Sequence, residues 1–440
     1  MNLKAASLER QEHAGEPRQA PVEPPLLFWP AAETVRSGAG QRRFLLIAAP
    51  FGPFSRQLAA ELGRAGARMT RVLLNAGDVI DWGFRDAKAY FGGLGGWRDW
   101  LLTTVQAQGI TDIVTYGDSS GYADQALALA PELGIRTHVL EQGYFRPDWG
   151  TVEARGVNAN SDLPRDPSWY RNHPAAQRPP AAEIVGRTTP AAVRHIVAYH
   201  LAVYLGAPVF PRFKARYSDA AFKQATGHIM RYGIDPLSHP RAQRAYEGLM
   251  RSDAPIFLCL LQRPGDSQLW RHSEFASVPD FIGTVLTSFA AHAPKSAQMI
   301  VRRHPLDPGL VRYRPIIARL ERRLGIEGRV HLTDHGKLHE FLPRMSGAVC
   351  VNSTAGLAAI EFGVPTITLG KAMYDIPGLT HQGKLDGFWT AAERPDPELY
   401  TAFRQVVMAE TQVNGAYATE RGRALAVPKV AQRLLAPGRI

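Results

Sequence analysis

Two stretches of this chain repeat one pattern: a short, continuously apolar run, then a helix-length segment with apolar residues every three or four positions, then another apolar run. In the first stretch RFLLIAAP ends at Pro50, PFSRQLAAELGRAGA spaces Phe54, Leu58 and Leu62 at helical intervals before Gly66, and MTRVLLNAGD follows. A strand apolar on both faces belongs inside a parallel sheet, and strand, helix, strand in that order needs a crossover, which is right-handed. The theme continues through GWRDWLLTTVQAQG, ITDIVTYGD, YADQALALAPELG and THVLEQGY. A second series opens at PIFLCLLQ and runs through FIGTVLTSFAAH, MIVRRHP, RVHLTD, FLPRMSG, GAVCVNST, AGLAAIEFG and PTITLG.

The expected fold class is therefore α/β, with two Rossmann-like domains facing across a cleft, the GT-B outline, which epimerase and periplasmic-binding-like folds share. A chain of 440 residues suits two such domains. The divisions predicted are a disordered leader at 1–41, rich in Pro, Glu, Ala and Gly, an N-terminal domain at 42–190, and a helical connecting region at 191–250. A C-terminal domain follows at 251–395 and helices at 396–440. Residues 164–190 shift to Pro, Arg, Asn and Ala and read as loop, with helical stretches at 191–205 and 219–232.

The longest apolar stretch, near residues 347–370, contains Asn352, Ser353, Thr354 and Glu361, so no membrane-spanning helix is expected. The start lacks the charged, apolar and small-residue sequence of a secretory signal. Cys259 and Cys350 sit inside apolar runs and read as buried thiols, which suits a reducing cytoplasm. The formal charge of +11 implies attraction to polyanions, whether nucleic acid, an anionic lipid surface or an acidic sugar nucleotide, and charge alone does not choose among them. Without aromatic-interleaved recognition motifs or zinc-ligand spacing, nucleic acid is disfavoured as a partner. No GxGxxG, P-loop, HExxH or GxSxG stands in a supporting context, and no paired-aspartate metal motif appears. Sugar transfer without a metal, with cationic side chains neutralising a leaving phosphate, stays open.

Ligands of parallel α/β sheets gather at the carboxyl ends of strands, so polar residues just after apolar runs are the candidates. In the second series Asn352, Ser353 and Thr354 end a strand and open a helix, where they either hold a phosphate or simply cap the helix. Glu361, about two turns on, either reaches ribose hydroxyls or is solvated. His304 follows MIVRR and precedes Asp307, a strand-end imidazole beside two arginines placed to contact a phosphate or a sugar carboxylate, while Asp266, Gln268, His272 and Ser273 follow LCLLQ in a segment suited to cleft contacts or to a hydrogen-bonded interdomain loop. In the first series the turn at Gly52, the NAGD residues Asn75 and Asp78, and Asp118 close strands, binding an acceptor or making turns. EQGYFRPDW crowds Glu141, Tyr144, Arg146 and Asp148. Glu141 or Asp148 reads as nucleophile or base with Arg146 holding a carboxylate or phosphate; a structural ion pair is the competing account.

In order, the blocks GPFSRQLAAELGRAGARMTRVLLNAGD, GYFRPDWGTVEARGVNANSDLPRDP, DSQLWRHSEF, RRHPLDPG, VNSTAGLAAIEFGVPTITLG and YDIPGLTHQGKLDGFW cover most of residues 44–390. Together they resemble the bacterial capsule polysaccharide biosynthesis and export family, in its Kps-system branch. The resemblance implies a GT-B transferase that moves Kdo from CMP-Kdo onto lysophosphatidylglycerol, starting a β-Kdo linker at the inner membrane surface, with an acceptor-side N-terminal domain and a nucleotide-sugar C-terminal domain. It implies no cofactor beyond the CMP-Kdo donor, no metal, peripheral membrane association on the cytoplasmic side, and other capsule assembly and ABC export components as partners. It further implies retention through a carboxylate nucleophile, for which Glu141 is the candidate. Related members carry an acidic pair before the Gly-aromatic step, and here the second position is Gln142. His304, Asp307, Ser353 and Thr354 would bind the CMP-sugar, with Asp266, Gln268, His272 and Ser273 completing the cleft. By the same resemblance the tail from about Pro397 crosses back to brace the first domain. The alternatives are a non-catalytic factor that hands the glycolipid to an ABC transporter and a sugar-nucleotide epimerase.

Overall fold

A computed structural model of the chain describes residues 42–177, 182–185, 190–214, 227, 231, 246–334 and 337–436. The leader, and all of the expected helix at 219–232 except positions 227 and 231, lie outside the described residues.

The apolar runs form two sheets. The first contains β1 (Arg43–Leu46), β2 (Arg68–Leu73), β3 (Ala87–Ala89), β4 (Asp112–Tyr116), β5 (Arg136–Gln142), β6 (Trp149–Glu153) and β12 (Gln412–Asn414), in the order β12-β6-β5-β4-β1-β2-β3. The second contains β7 (Ile256–Leu260), β8 (Gln298–Arg302), β9 (Val330–Thr333), β10 (Gly347–Cys350) and β11 (Thr366–Thr368), in the order β11-β10-β7-β8-β9, all parallel. Both sheets are α/β with parallel centres, the GT-B arrangement. In each, chain order reverses beside the first strand, between β1 and β4 and between β7 and β10. Such a reversal opens a crevice, because the crossovers on its two sides leave in opposite directions.

The parallel reading needs one correction. GYFRPD is a short connection between β5 and an antiparallel β6, with Glu141 opposite Thr151 and Gln142 opposite Gly150. β12 then pairs antiparallel to β6, so the tail completes the first sheet. The helix Glu420–Leu435 packs Ala426, Val430 and Leu434 into the same apolar core as Phe54, Leu58 and Leu62 of the helix Phe54–Arg64. The region 164–190, read as loop, contains the helix Pro167–Asn172, capped by Asp166 through Ser168 N. Cys259 and Cys350 are free and buried. Among the described residues no helix is long and apolar enough to cross a membrane.

At the amino ends of the first sheet, fully buried Asp112 accepts from Arg42 Nε at 2.6 Å and Thr111 Oγ1 at 2.6 Å, and lies 2.9 Å from His138 Nε2. Burial works to raise the Asp112 carboxyl, but hydrogen bonds from His138 and Arg42 outweigh it and hold the pKa at about 2. A carboxyl held below its unfolded value contributes stability that is present above about pH 4 and is lost as pH falls towards 2. Asp112→Ala leaves a buried guanidinium unpaired and is expected to cost about 3–5 kcal/mol in urea unfolding at pH 7. A loss under about 1 kcal/mol would mean that Arg42, which also donates to Leu434 O, is satisfied without it.

Candidate active site

The two sheets turn their reversal points towards each other. After β7 and β10, Gln262 Nε2 donates to Asn352 Oδ1, and Asn352 Nδ2 donates to Gln268 O at 3.2 Å. After β4, Asp118 accepts from Val157 N and Asn160 Nδ2, each at 3.0 Å, and from Gln268 Nε2 at 3.4 Å across the cleft. Asn158 Nδ2 donates to Asn352 O at 3.1 Å, and a bidentate pair, Arg271 to Asp124 at 2.7 and 3.0 Å, closes one rim. Three of these contacts, Gln268 to Asp118, Asn158 to Asn352 and Arg271 to Asp124, span the cleft with directional bonds and fix how the two sheets face.

Asn158 was not singled out from the sequence. It has φ +54°, a conformation Asn tolerates better than most residues, and its N–H donates to Tyr144 Oη at 2.6 Å. Tyr144 in turn donates to Glu153 Oε1 at 2.6 Å, and Ser161 donates to the other oxygen of Glu153. Burial lifts the Glu153 carboxyl to about 7, against the hydrogen bonds from Ser161 and Tyr144 that favour its charged form. Tyr144 thus supports the Asn158 turn from beneath. The signal for it was present in VNAN, a polar, turn-prone segment directly after β6.

Positive charge is concentrated on the second side. Burial, then the charges of Arg146, Arg263 and Arg231, lower the His304 pKa to about 4. The His304 ring is therefore neutral near pH 7, and because Nδ1 accepts Leu306 N at 3.0 Å its proton resides on Nε2, as a donor. Arg146 comes from the β5–β6 connection, Arg263 from the end of β7 and His304 from the end of β8, so both sheets supply the cluster. His200, on the helix Pro190–Leu205, is also held below its usual pKa, by burial and then by Arg263. Gln262 Oε1, Gln268 Oε1 and His272 Nε2 are buried without hydrogen-bond partners, an unmet demand that a polar ligand in the crevice would satisfy. Glu141, the last residue but one of β5, lies beside Tyr417, whose hydroxyl its charge pushes further up after burial has done most.

Several residues expected in the site are committed to the scaffold instead. Asp148 accepts Val185 N at 2.7 Å and makes no pair with Arg146, whose Nε donates to Gly143 O at 3.2 Å. Asn75 accepts Asp78 N and donates to Tyr199 Oη, both at 3.0 Å, while Asp78 accepts Arg71 at 2.6 Å and Leu74 N at 2.9 Å. Gly52 (φ +87°) spends its N–H on Asp81 Oδ2, and its missing Cβ leaves room for the His195 ring, 3.1 Å from where that atom would stand. Asp266 caps a short helix through Gln268 N, and Ser273 Oγ turns back to Leu269 O. Asp307, fully buried, builds a turn by accepting Gly309 N at 2.7 Å and Tyr313 Oη at 3.0 Å. Ser353 caps the helix Thr354–Glu361 through Ala355 N at 3.2 Å, with Thr354 as its first residue. Glu361 is at the other end, 3.8 Å from Arg404. Among the described residues no three His, Cys, Asp or Glu side chains gather to hold a metal.

The profile of the capsule polysaccharide biosynthesis protein family matches residues 111–417. The capsule polysaccharide export protein KpsS of Escherichia coli is 33% identical over 377 residues, covering 86% of this chain and 97% of its own length. The capsule polysaccharide modification protein LipB of Neisseria meningitidis serogroup A is 31% identical over 386 residues, covering 84% of this chain and 90% of its own. A solved structure of Thermosulfurimonas dismutans KpsC, beta Kdo 2,7 transferase, aligns with 90% of this chain and 99% of its own at 14% identity and a TM-score of 0.41, too loose a match to assign a role to any residue.

Proposed function

Because this chain belongs to the capsule polysaccharide biosynthesis protein family, we propose that it is a glycosyltransferase that moves Kdo from CMP-Kdo onto a lysophosphatidylglycerol acceptor at the cytoplasmic surface of the inner membrane. The observation that carries this reading is the cluster of His304, Arg146 and Arg263 at facing strand ends, with buried Arg231 behind it holding the His304 and Asp307 carbonyls. A CMP-activated sugar acid brings a phosphate and a carboxylate, and a cleft of fixed cations with a neutral imidazole donor complements both. The Glu141 carboxylate attacks the anomeric carbon while the bond to the CMP phosphate breaks and CMP leaves as the anion. The acceptor hydroxyl then attacks that carbon, Glu141 leaves as the free carboxylate, and the hydroxyl's proton passes to solvent water. Two displacements retain the anomeric configuration.

The purified chain, given a CMP-Kdo generating system and fluorescent lysophosphatidylglycerol, is expected to yield a product heavier by one Kdo in mass spectrometry. Folded, monodisperse protein that forms no such product beside a working control would sink the reading. A second reading, glycolipid hand-over without transfer, draws on the export name of the Escherichia coli relative and on Gln142 in place of an acidic residue. It is favoured if the chain binds the finished Kdo-lipid yet forms none.

A further inference from the structure

The helix Pro190–Leu205 is apolar on two sides, and only one of them is buried. Tyr199 and Ala202 face inward, where Tyr199 packs over Gly77 of the helix Ala76–Trp82. On the opposite side Val193, Val197, Leu201, Tyr204 and Leu205 are each more than half exposed. At about 100° per residue these five fall within an arc of about 120°, a stripe that Arg194 shares at its N-terminal end, where its long side chain can reach past the apolar residues to a headgroup. The neighbouring helix exposes Ile80, and the turn after it exposes Phe84. Monomeric soluble proteins rarely leave an apolar face of that size uncovered.

Charge identifies what covers it. From Ile184 to Ser218 the sequence contains no Asp or Glu but carries Arg187, Arg194, Arg212, Lys214 and Arg216. Of these, Arg194, Arg212 and Lys214 are exposed on or just after the helix. An apolar stripe on a helix that carries cations, with more just beyond its end and no acid within the segment, is the pattern of a helix that lies in the headgroup region of an anionic bilayer. We infer that the helix Pro190–Leu205 docks this protein onto an anionic lipid surface. Its position gives the docking a purpose: the same helix sets His195 against Gly52 and the His200 ring 5.2 Å from Phe51, at the mouth of the cleft. A bilayer under the stripe therefore lies next to the opening through which a lipid acceptor would enter. Only this last link rests on the proposed acceptor; the docking itself does not.

Flotation of the full chain with vesicles of phosphatidylcholine alone, or of phosphatidylcholine with phosphatidylglycerol, tests the inference without any donor present. The wild-type chain is expected to float with the phosphatidylglycerol vesicles and to be released by salt. Val197→Glu with Leu201→Glu should lower the bound fraction at least about tenfold, and Val197→Leu should not. Arg194→Glu with Arg212→Glu should weaken binding to anionic vesicles alone. Since the substituted side chains are exposed, an unchanged melting temperature is expected to accompany these losses. The inference is overturned if the double Glu variant floats like the wild type, or if the wild type ignores anionic vesicles. It is equally overturned if the wild type is a dimer that the double Glu variant splits with no change in vesicle binding. Transfer to a short-chain, water-soluble acceptor should survive the Val197 and Leu201 changes, which separates failure of docking from failure of the transferase reading.

Discussion

Glu141→Gln is expected to lower the rate of Kdo transfer about ten-thousandfold or more while leaving donor affinity within about twofold, because the amide keeps the shape of the carboxylate and loses its nucleophilic charge. The side-chain oxygen of Glu141 accepts Gln142 N at 3.0 Å, a bond that an amide oxygen also accepts, so the end of β5 should stay in place. Single-turnover mass spectrometry reads the effect directly. Transfer within tenfold of wild type in a folded Glu141→Gln protein would move the nucleophile to another carboxylate. Asp148 would not inherit the role, because it is bound to Val185 N and its own carbonyl is bound to the tail at Gly415 N.

His304→Ala and Arg146→Ala should each cost about a hundred- to a thousandfold in kcat/KM, through loss of a donor or charge aimed at the leaving phosphate. Their double variant should lose less than the product of the two, since Arg146 is one of the charges that hold His304 neutral. With its pKa at about 4, His304 is already neutral at pH 6, so the unliganded enzyme should show no inflection from this ring between pH 6 and 8. An inflection near pH 6.5 that vanishes in His304→Ala would mean the ring stands in solvent, away from the arginines.

The central strands were legible because a strand buried on both faces must be apolar throughout, and IFLCL and GAVC leave no other reading. β12 was not, because QVN is buried only through pairing with β6, some 260 residues earlier, and nothing local marks it as a strand. The same distinction divides the candidate site. Strand-end position located Asp118, His304 and Asn352 near the cleft, yet it could not tell a ligand-facing group from one already satisfied. Asp78 is taken by Arg71 and Asp148 by Val185, partners set by tertiary packing rather than by neighbouring sequence. The helix Pro190–Leu205 was legible as a helix, but with apolar residues on both sides its composition did not say which side would be left outside.

The pairing of β12 with β6 also orders events during synthesis. The outer edge of β6 is available as soon as Glu153 has left the ribosome, whereas its partner at Gln412–Asn414 comes some 260 residues later. At roughly 5–20 residues per second that interval is roughly 13 to 50 s, during which an unpaired edge and the apolar face awaiting the helix Glu420–Leu435 stand open. The first sheet of this protein is thus begun before the second and completed after it, and throughout that time its nascent chain is a natural client for a chaperone.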